Sequence, residues 1–349
     1  MTIGTKLPLE LAKANPGDMA FSFKRKGGTG FVSCIALAML ASAPISRAQE
    51  KADYPLKPVR VIVASGAGGP SDVQARLLAQ KLSESLKRQF VIENRPGGGG
   101  TIGYGVAAKA APDGYTLLSV VPTLTYSPAL HANLPFDPLR DFSPISLTAR
   151  APYIVAVHPA LPAKTIKELV ALAKSKPGAL AMGQTNGSPN HLAAAYFISA
   201  ANVNIRVIPY KVFGQVLIDA MAGDVQVLFG AVANTLPHVK AGKLRAIAVS
   251  AAQRATRLPQ LPTVAESGVP GYDVTGWYGW VAPAGTPVPV VNLLSRELAR
   301  AVKSPDILKT LAEDGADPVG STPAAFQKLI AEEVPRWLNI VKAAGMRME

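Results

Sequence analysis

Strand-like and helix-like segments alternate along the chain, and this order constrains the fold more than any other feature of the sequence. Residues 59–64 form a β-branched run typical of a buried strand, and apolar residues then recur at helical spacing over 71–86. The alternation continues with a strand at 90–92, a helix at about 102–110 and a strand at 115–120. This β-α-β-α-β order predicts a parallel sheet with helices on its faces, and such sheets bind ligands at the carboxyl ends of their strands.

A second block of the same kind predicts a second lobe. Thr165, with Glu168 three residues later, is typical of a capped helix start. Further strands are predicted near 180–182, 205–208, 225–229, 244–249 and 274–282, and two closing helices near 289–303 and 323–344. We therefore expect an α/β protein of two lobes, each with a central, mostly parallel sheet flanked by helices, and a ligand cleft between them. The expected division assigns residues 54–155 plus 276–349 to lobe 1 and residues 156–275 to lobe 2.

Residues 1–48 have the pattern of a cleavable secretion signal. A basic cluster at 24–26 precedes an apolar run at 31–41, and a small-x-small sequence ends at Ala48. The run is shorter than the roughly 20 residues that a membrane-spanning helix needs, so we expect export with cleavage after Ala48. A buried core helix is the alternative interpretation of this run.

Removal of this leader changes the composition of the chain. Residues 1–18 lack the signal pattern, so we expect translation to start at Met19. The single cysteine, Cys34, lies in the leader, so the mature chain can form neither a disulfide nor a thiolate metal site. Six basic and two acidic residues leave with the leader, so +4 of the formal charge of +13 is lost and +9 remains. The basic residues are dispersed and aromatic residues are few, so no nucleic-acid partner is expected.

A glycine-rich loop between the first strand and the first helix is the sharpest candidate for a binding site. Gly66 and Gly68 allow the backbone to approach a ligand closely, and Ser71 or Asp72 could cap a helix whose free N–H groups would face an anion. The loop also fits a loose dinucleotide fingerprint, with Glu93 at the place of a ribose-binding acid. Export to a compartment poor in nucleotides disfavours that interpretation. A tight turn with a helix cap and no ligand is the third alternative.

A second loop, at residues 183–190, occupies the equivalent place in the second lobe. It is rich in hydroxyls, amides and glycine and has no charged residue. Two such loops across a cleft could hold a carboxylate through neutral donors, because hydrogen bonds to a charged acceptor are the stronger ones. None of the four histidines has metal-ligand spacing to another, and no nucleophile motif is present. We expect no metal, no cofactor and no catalysis, although His191 leaves a periplasmic enzyme as a rival.

Seven short motifs, in their order and spacing, resemble the extracytoplasmic solute-binding receptors of tripartite tricarboxylate transporters, also called the Bug family. The motifs are Gly68–Asp72, Glu93–Gly97, Ala111–Leu118, Pro209–Lys211, Leu236–Arg245, Pro262–Glu266 and Ala282–Pro287. The resemblance extends from about Tyr54 to the C-terminus. It implies a type II periplasmic-binding-protein-like fold that closes on a small organic carboxylate in the periplasm and delivers it to membrane permease subunits. A sensor that feeds a signalling receptor is the alternative, and a monomer is expected.

The resemblance also implies which residues bind the ligand. They belong to the two loops and to the loop after the third strand, and are Ser65, Gly66, Gly68, Gly69, Ser71, Asp72, Thr123, Gln184, Thr185, Asn186 and Ser188. The sequence departs from the family pattern within these loops. Ser65 and Ala67 replace an aromatic residue and a proline, and Gln184 with Thr185 replaces a pair of small residues. The size and polarity of the pocket are therefore expected to differ from those of relatives.

Overall fold

Strands and helices alternate through most of the computed structural model, which describes residues 54–185 and 188–343. The first part contains β1 (Val59–Val63), α1 (Pro70–Leu86), β2 (Phe90–Asn94), a 3-10 turn (Gly98–Gly100), α2 (Thr101–Ala108), β3 (Thr116–Val120), α3 (Thr123–Leu130) and β4 (Phe142–Val157). The middle contains α4 (Ile166–Ser175), β5 (Ala181–Thr185), α5 (Pro189–Ala200), β6 (Arg206–Tyr210), α6 (Phe213–Ala222), β7 (Val227–Ala231), α7 (Val232–Lys240) and β8 (Arg245–Val249). The last part contains β9 (Thr275–Pro283), α8 (Val288–Ala301), α9 (Pro305–Glu313), β10 (Asp317–Pro318) and α10 (Pro323–Ala343). The predicted leader at 1–48 and Asn186 lie outside the described residues.

The described strands form a ten-stranded sheet in the order β2-β1-β3-β9-β4-β7-β5-β6, with β8 and β10 also paired to β4. Two groups of strands are parallel, since β1 pairs with β2 and β3, and β5 pairs with β6 and β7. The centre is antiparallel, because β9 and β4 run against each other and against their other neighbours. The predicted α/β class is confirmed, and the antiparallel centre is a feature that the local sequence patterns did not predict.

Strand β4 belongs to both halves of the sheet. Its first part pairs with β9, and its last five residues, from Tyr153, pair with β7 and β8. The sequence indicated only an extended stretch from Tyr153 onward, because Pro144 and Pro152 interrupt the pattern before it. The expected lobe boundary between residues 155 and 156 falls inside this strand, and the division into lobes at those positions stays a prediction.

Two helices were not predicted from the sequence. α3 has a proline in its interior at Pro128, and α9 lies between the two helices that were expected to close the chain. The predicted helix start at Thr165 is present, because its side chain accepts a hydrogen bond from the N–H of Glu168 at 3.1 Å. Glu168 in turn accepts from the N–H of Lys164 at 2.6 Å. In the part of the chain described, no helix combines the length and apolar character that crossing a bilayer requires.

Ser250 joins the two segments that pass between the halves of the sheet. Its buried hydroxyl accepts a hydrogen bond from the N–H of Tyr153 at 2.8 Å and donates one to the carbonyl of Val274 at 2.6 Å. Its backbone N–H donates to the Tyr153 carbonyl, and its carbonyl accepts from the N–H of Val274, each at 2.9 Å. One side chain therefore links the middle of β4 to the residue that precedes β9.

We expect Ser250→Ala to lower the free energy of unfolding by about 1–3 kcal/mol, because it leaves two buried backbone groups without a partner. Urea unfolding followed by circular dichroism measures this change. Ser175→Ala is the matched control, since Ser175 is exposed and bonds only a carbonyl of its own helix. The expected change for the control is within about 0.5 kcal/mol. Equal losses in the two variants would contradict the prediction.

Candidate ligand-binding site

A cavity of about 320 Å³, which we call the central cavity, lies at the carboxyl ends of strands from both halves of the sheet. Its lining comes from four helix starts, from the antiparallel strands β4 and β9 and from the turn after α9. It consists of Pro70, Ser71, Val121, Pro122, Ala151, Pro152, Tyr153, Pro189, Ala231, Val232, Ala233, Asn234, Gly276, Trp277, Tyr278 and Asp314. The volume is in the range of small-molecule pockets. Segments that are far apart in the sequence therefore meet around one ligand-sized space.

Four helices begin at the wall of the central cavity. α1, α3, α5 and α7 each follow a strand of the sheet, so each strand-loop-helix connection places a helix start at the carboxyl edge. The first N–H groups of a helix have no partner within the helix and carry partial positive charge. No side chain caps α1, α3 or α7, whereas Ser188 caps α5. The arrangement is suited to an anion held by backbone donors.

The side chains around the central cavity supply hydroxyls and apolar surface but no cation. Neither lysine nor arginine is among the lining residues described, and Asp314 is the one charged side chain there. Ser71, Tyr153 and Tyr278 contribute hydroxyl groups, and Asn234 contributes an amide. Burial raises the pKa of Tyr153 well above its usual value, so this phenol remains a hydrogen-bond donor. An anion in this space would be held by dipoles rather than by an opposite charge.

A neighbouring pocket of about 270 Å³, which we call the hydroxyl pocket, shares Ser71 and Val121 with the central cavity. The hydroxyl groups on its wall belong to Ser65, Ser71, Tyr104, Ser119 and Thr123. The glycine run that follows β2 forms another wall, and the backbone φ angles of its residues 97–100 are all positive, between 57° and 124°. Glycine adopts such angles without strain. The run therefore lets the main chain turn closely around the pocket.

Asp72 holds the loop that follows β1. Its carboxylate is 1% exposed and accepts hydrogen bonds from the N–H of Gly68 at 2.8 Å, from Arg76 Nε at 2.9 Å and from Asn94 Nδ2 at 2.8 Å. Burial alone would raise the pKa of Asp72, but these donors lower it below the usual value, so the group is ionised at neutral pH. The bond to Asn94 ties the loop after β1 to the end of β2.

The interpretation of Ser71 or Asp72 as the helix cap is wrong. α1 begins at Pro70 with Gly69 at the N-cap position, and no side chain caps it. Proline suits a first helical turn because it lacks an N–H group that would need a partner. The hydroxyl of Ser71 instead forms a hydrogen bond with the hydroxyl of Ser65 at 2.8 Å. The start of α1 is therefore open on the side of the cavities.

The second predicted loop lies deeper in the protein. Gln184 and Thr185 end β5, and the buried Oε1 of Gln184 and Oγ1 of Thr185 have no hydrogen-bond partner among the described residues. Ser188 donates to the carbonyl of Thr185 at 2.5 Å and accepts from the N–H of His191 at 3.3 Å. Asn190 donates to the carbonyl of Phe229 at 3.1 Å. The polar groups of this loop thus organise the start of α5 behind the lining residue Pro189.

The structure brings together only some of the predicted ligand-binding residues. Ser65, Ser71 and Thr123 line the hydroxyl pocket, and Ser71 also lines the central cavity. The predicted residues that line neither space are Gly66, Gly68, Gly69, Asp72, Gln184, Thr185 and Ser188. The predicted Asn186 lies outside the described residues. Direct contact of these residues with a ligand stays a prediction.

Sequence reasoning missed more than half of the central cavity. The segments that it missed are Ala151–Tyr153, Ala231–Asn234, Gly276–Tyr278 and Asp314. The start of α7 could have been found from its place after a predicted strand, which is equivalent to that of the two loops that were recognised. The residues of β4 and β9 could not have been found in this way, because the antiparallel pairing of these strands joins residues more than a hundred positions apart.

Trp277 is a fixed part of the cavity wall. Its indole Nε1 donates to both carboxylate oxygens of Glu333 at 3.1 Å, and Thr125 Oγ1 donates to the same carboxylate at 2.7 Å. Burial raises the pKa of Glu333, although these donors partly oppose the shift. The contacts join β9, α3 and α10 behind the cavity, so the indole ring has a defined orientation.

The structure gives little support to catalysis by His191. Its pKa is lowered by burial, and it lines neither the central cavity nor the hydroxyl pocket. Within residues 54–185 and 188–343, no group of three or more histidine, cysteine, aspartate or glutamate side chains could hold a metal ion.

The sequence is similar to that of known solute receptors over most of its length. A sequence model of the tripartite tricarboxylate transporter family receptor, TctC, matches residues 74–346. Protein BugT of Bordetella pertussis is 34% identical over 313 residues, which cover 89% of this chain and 96% of that protein.

Solved structures show the same likeness. An R. palustris protein solved with adipate is 34% identical with a TM-score of 0.72, and the match covers 84% of this chain and 100% of the other. MatC from Rhodopseudomonas palustris with bound malate is 30% identical with a TM-score of 0.68, over 82% of this chain and 100% of the other. The structure of the periplasmic binding protein BugD is 33% identical with a TM-score of 0.70. The two-lobed periplasmic-binding-protein fold is confirmed, and the chain belongs to the TctC family of tripartite tricarboxylate transporter receptors.

Proposed function

We propose that this protein binds a small organic anion with a carboxylate group in the central cavity and delivers it to the permease subunits of a tripartite tricarboxylate transporter. The observation that carries the proposal is the meeting of four helix starts, three of them without a side-chain cap, at a cavity with no lysine or arginine among its described lining residues. Backbone N–H groups at helix starts bind carboxylates well. Adipate and malate in similar structures support the same class of ligand.

Closure of the two lobes is part of the proposal. The central cavity takes walls from both halves of the sheet, and Gly315 packs directly against Val232 at the start of α7. A ligand that contacts both walls stabilises the state in which they are close together, because it binds that state more tightly. The closed form is then the one that the permease recognises. The protein is proposed to release its ligand chemically unchanged.

Thermal unfolding in the presence of a panel of carboxylates tests the ligand class. At 100 times its Kd, a ligand that binds only the folded state adds about 2.7 kcal/mol to the free energy of unfolding. We expect at least one mono- or dicarboxylate to raise the melting temperature, while the matching uncharged alcohol has no effect. Nucleotides and sugars are the controls. Stabilisation by a sugar or a nucleotide and by no carboxylate would contradict the proposal.

Export to the periplasm is proposed from the leader pattern together with the periplasmic location of the family. N-terminal sequencing of protein recovered from the periplasm is expected to begin at Gln49. Uptake of the radiolabelled ligand by cells that express the permease subunits tests delivery. Uptake that is unchanged by deletion of the receptor would favour the alternative role as a sensor.

A further inference from the structure

Asp314 is a charged group in the central cavity that the proposed function leaves unexplained. It follows the end of α9, is half-buried and lines the cavity. Its carboxylate forms no hydrogen bond and no ion pair with any described residue. Burial raises the pKa of Asp314, and the nearby Glu313 raises it further. An unpaired carboxylate in the lining of a ligand cavity affects which ligands bind, because it attracts or repels the part of the ligand that lies beside it.

No cationic side chain in the described lining would offset this charge. Apolar groups dominate the lining, chiefly those of Pro70, Val121, Pro122, Pro152, Val232 and Trp277. One carboxylate of a ligand can be accommodated at the helix starts. A second carboxylate that reaches the part of the cavity near Asp314 would lie beside a like charge, with no lysine or arginine in the described lining to pair with it. Like charges in a partly desolvated space repel more strongly than they do in water, and an unpaired buried carboxylate is costly.

We infer that Asp314 determines the ligand class, so that this receptor prefers acids with a single carboxylate and an uncharged apolar body over dicarboxylates. The inference rests on the proposed function, since it assumes that the carboxylate ligand occupies the central cavity. It sets this chain apart from similar structures that hold adipate or malate. Asp314 acts here as a specificity-determining residue.

Matched pairs of acids test the inference by isothermal titration calorimetry at pH 7.5. Hexanoate and adipate share a six-carbon chain and differ by one carboxylate, and benzoate and terephthalate form the corresponding aromatic pair. In at least one pair, we expect the monocarboxylate to bind at least tenfold more tightly than the dicarboxylate. Hexan-1-ol, which lacks the carboxylate, is expected to show no binding.

Asp314→Asn tests the assigned residue. It keeps the shape of the side chain and removes the charge, so we expect the ratio of monocarboxylate to dicarboxylate affinity to fall at least tenfold. Glu313→Gln is the matched control, because Glu313 is the adjacent acid, is exposed and does not line the cavity. The control is expected to leave both affinities within twofold. The melting temperature of each variant shows whether it is folded.

The outcomes separate the inference from the proposed function. The role of Asp314 would be overturned, with carboxylate binding intact, by either of two results. The first is that the wild type binds each dicarboxylate as tightly as the paired monocarboxylate. The second is that Asp314→Asn leaves the ratio of the two affinities unchanged. If no acid binds, or if hexan-1-ol binds as well as hexanoate, the proposed function fails and the inference fails with it.

Discussion

Gly315→Ala is expected to weaken ligand binding at least 100-fold while the protein remains folded. Gly315 has a φ of +66°, and a Cβ atom at this position would lie 2.3 Å from Cγ1 and 2.4 Å from Cβ of Val232. Val232 begins α7 on the opposite wall of the central cavity. The added methyl group therefore holds the two walls apart. Because apparent affinity falls with the fraction of molecules that can reach the binding-competent state, a penalty on closure appears directly in the Kd.

A matched glycine separates the effect on closure from simple backbone strain. Gly320 has a φ of +65°, and a Cβ there would meet Ala299 and Val302, which do not line the cavity. Left-handed backbone costs an alanine about 1–2 kcal/mol at either position. We expect Gly320→Ala to lower stability by a similar amount and to leave the Kd within threefold. The double variant Gly315→Ala with Val232→Gly should recover part of the lost affinity, and equal affinities for the two single variants would contradict the role of closure.

Asp72→Ala is expected to lower the free energy of unfolding by about 2–4 kcal/mol, because it leaves three donors without their buried acceptor. We also expect ligand affinity to fall at least 30-fold. Asp72 lines neither the central cavity nor the hydroxyl pocket, but it fixes the loop that carries Ser65 to the hydroxyl pocket and Ser71 to both spaces. Chemical denaturation and calorimetry measure the two effects. Asp224→Ala, at an exposed aspartate, is the control and is expected to change stability by no more than about 0.5 kcal/mol.

The stabilisation by Asp72 should also depend on pH in a defined direction. Its pKa is lower in the folded protein than in the unfolded chain, so the folded state favours the ionised form. The difference in stability between wild type and Asp72→Ala is therefore expected to be constant at neutral pH and to shrink below about pH 4, as the carboxylate becomes protonated. A difference that grows on acidification would contradict this assignment.

Local sequence patterns predicted those parts of the fold that depend on neighbouring residues. The β-branched run at 59–63 and the helical spacing that follows it determine β1 and α1, and Thr165 supplies a local helix start. Segments whose structure depends on distant partners were missed. β4 contains two prolines and is a strand because β9 pairs with it, and α3 is a helix despite Pro128.

The residues of the candidate site also differ in whether local sequence or distant contacts determine their positions. Ser65 and Ser71 were recognised because a loop that joins a strand to a helix lies at the carboxyl edge of the sheet, whereas Thr123 was predicted from the family resemblance. Asp72 was identified in the right loop, but its three partners come from the tertiary structure, and they direct its carboxylate into the protein. Tyr153, Trp277 and Asp314 carry no local signal of function, since only the folded chain brings them to one cavity.

The four helix starts have a consequence for the evolution of such receptors. The positive potential that they provide belongs to the main chain, so no single substitution of a side chain removes it. Under the proposed function, a residue on the wall such as Asp314 can therefore be exchanged while anion binding is retained. The ligand specificity of such a receptor can therefore change through substitutions in the cavity wall, and each intermediate sequence still binds an anion.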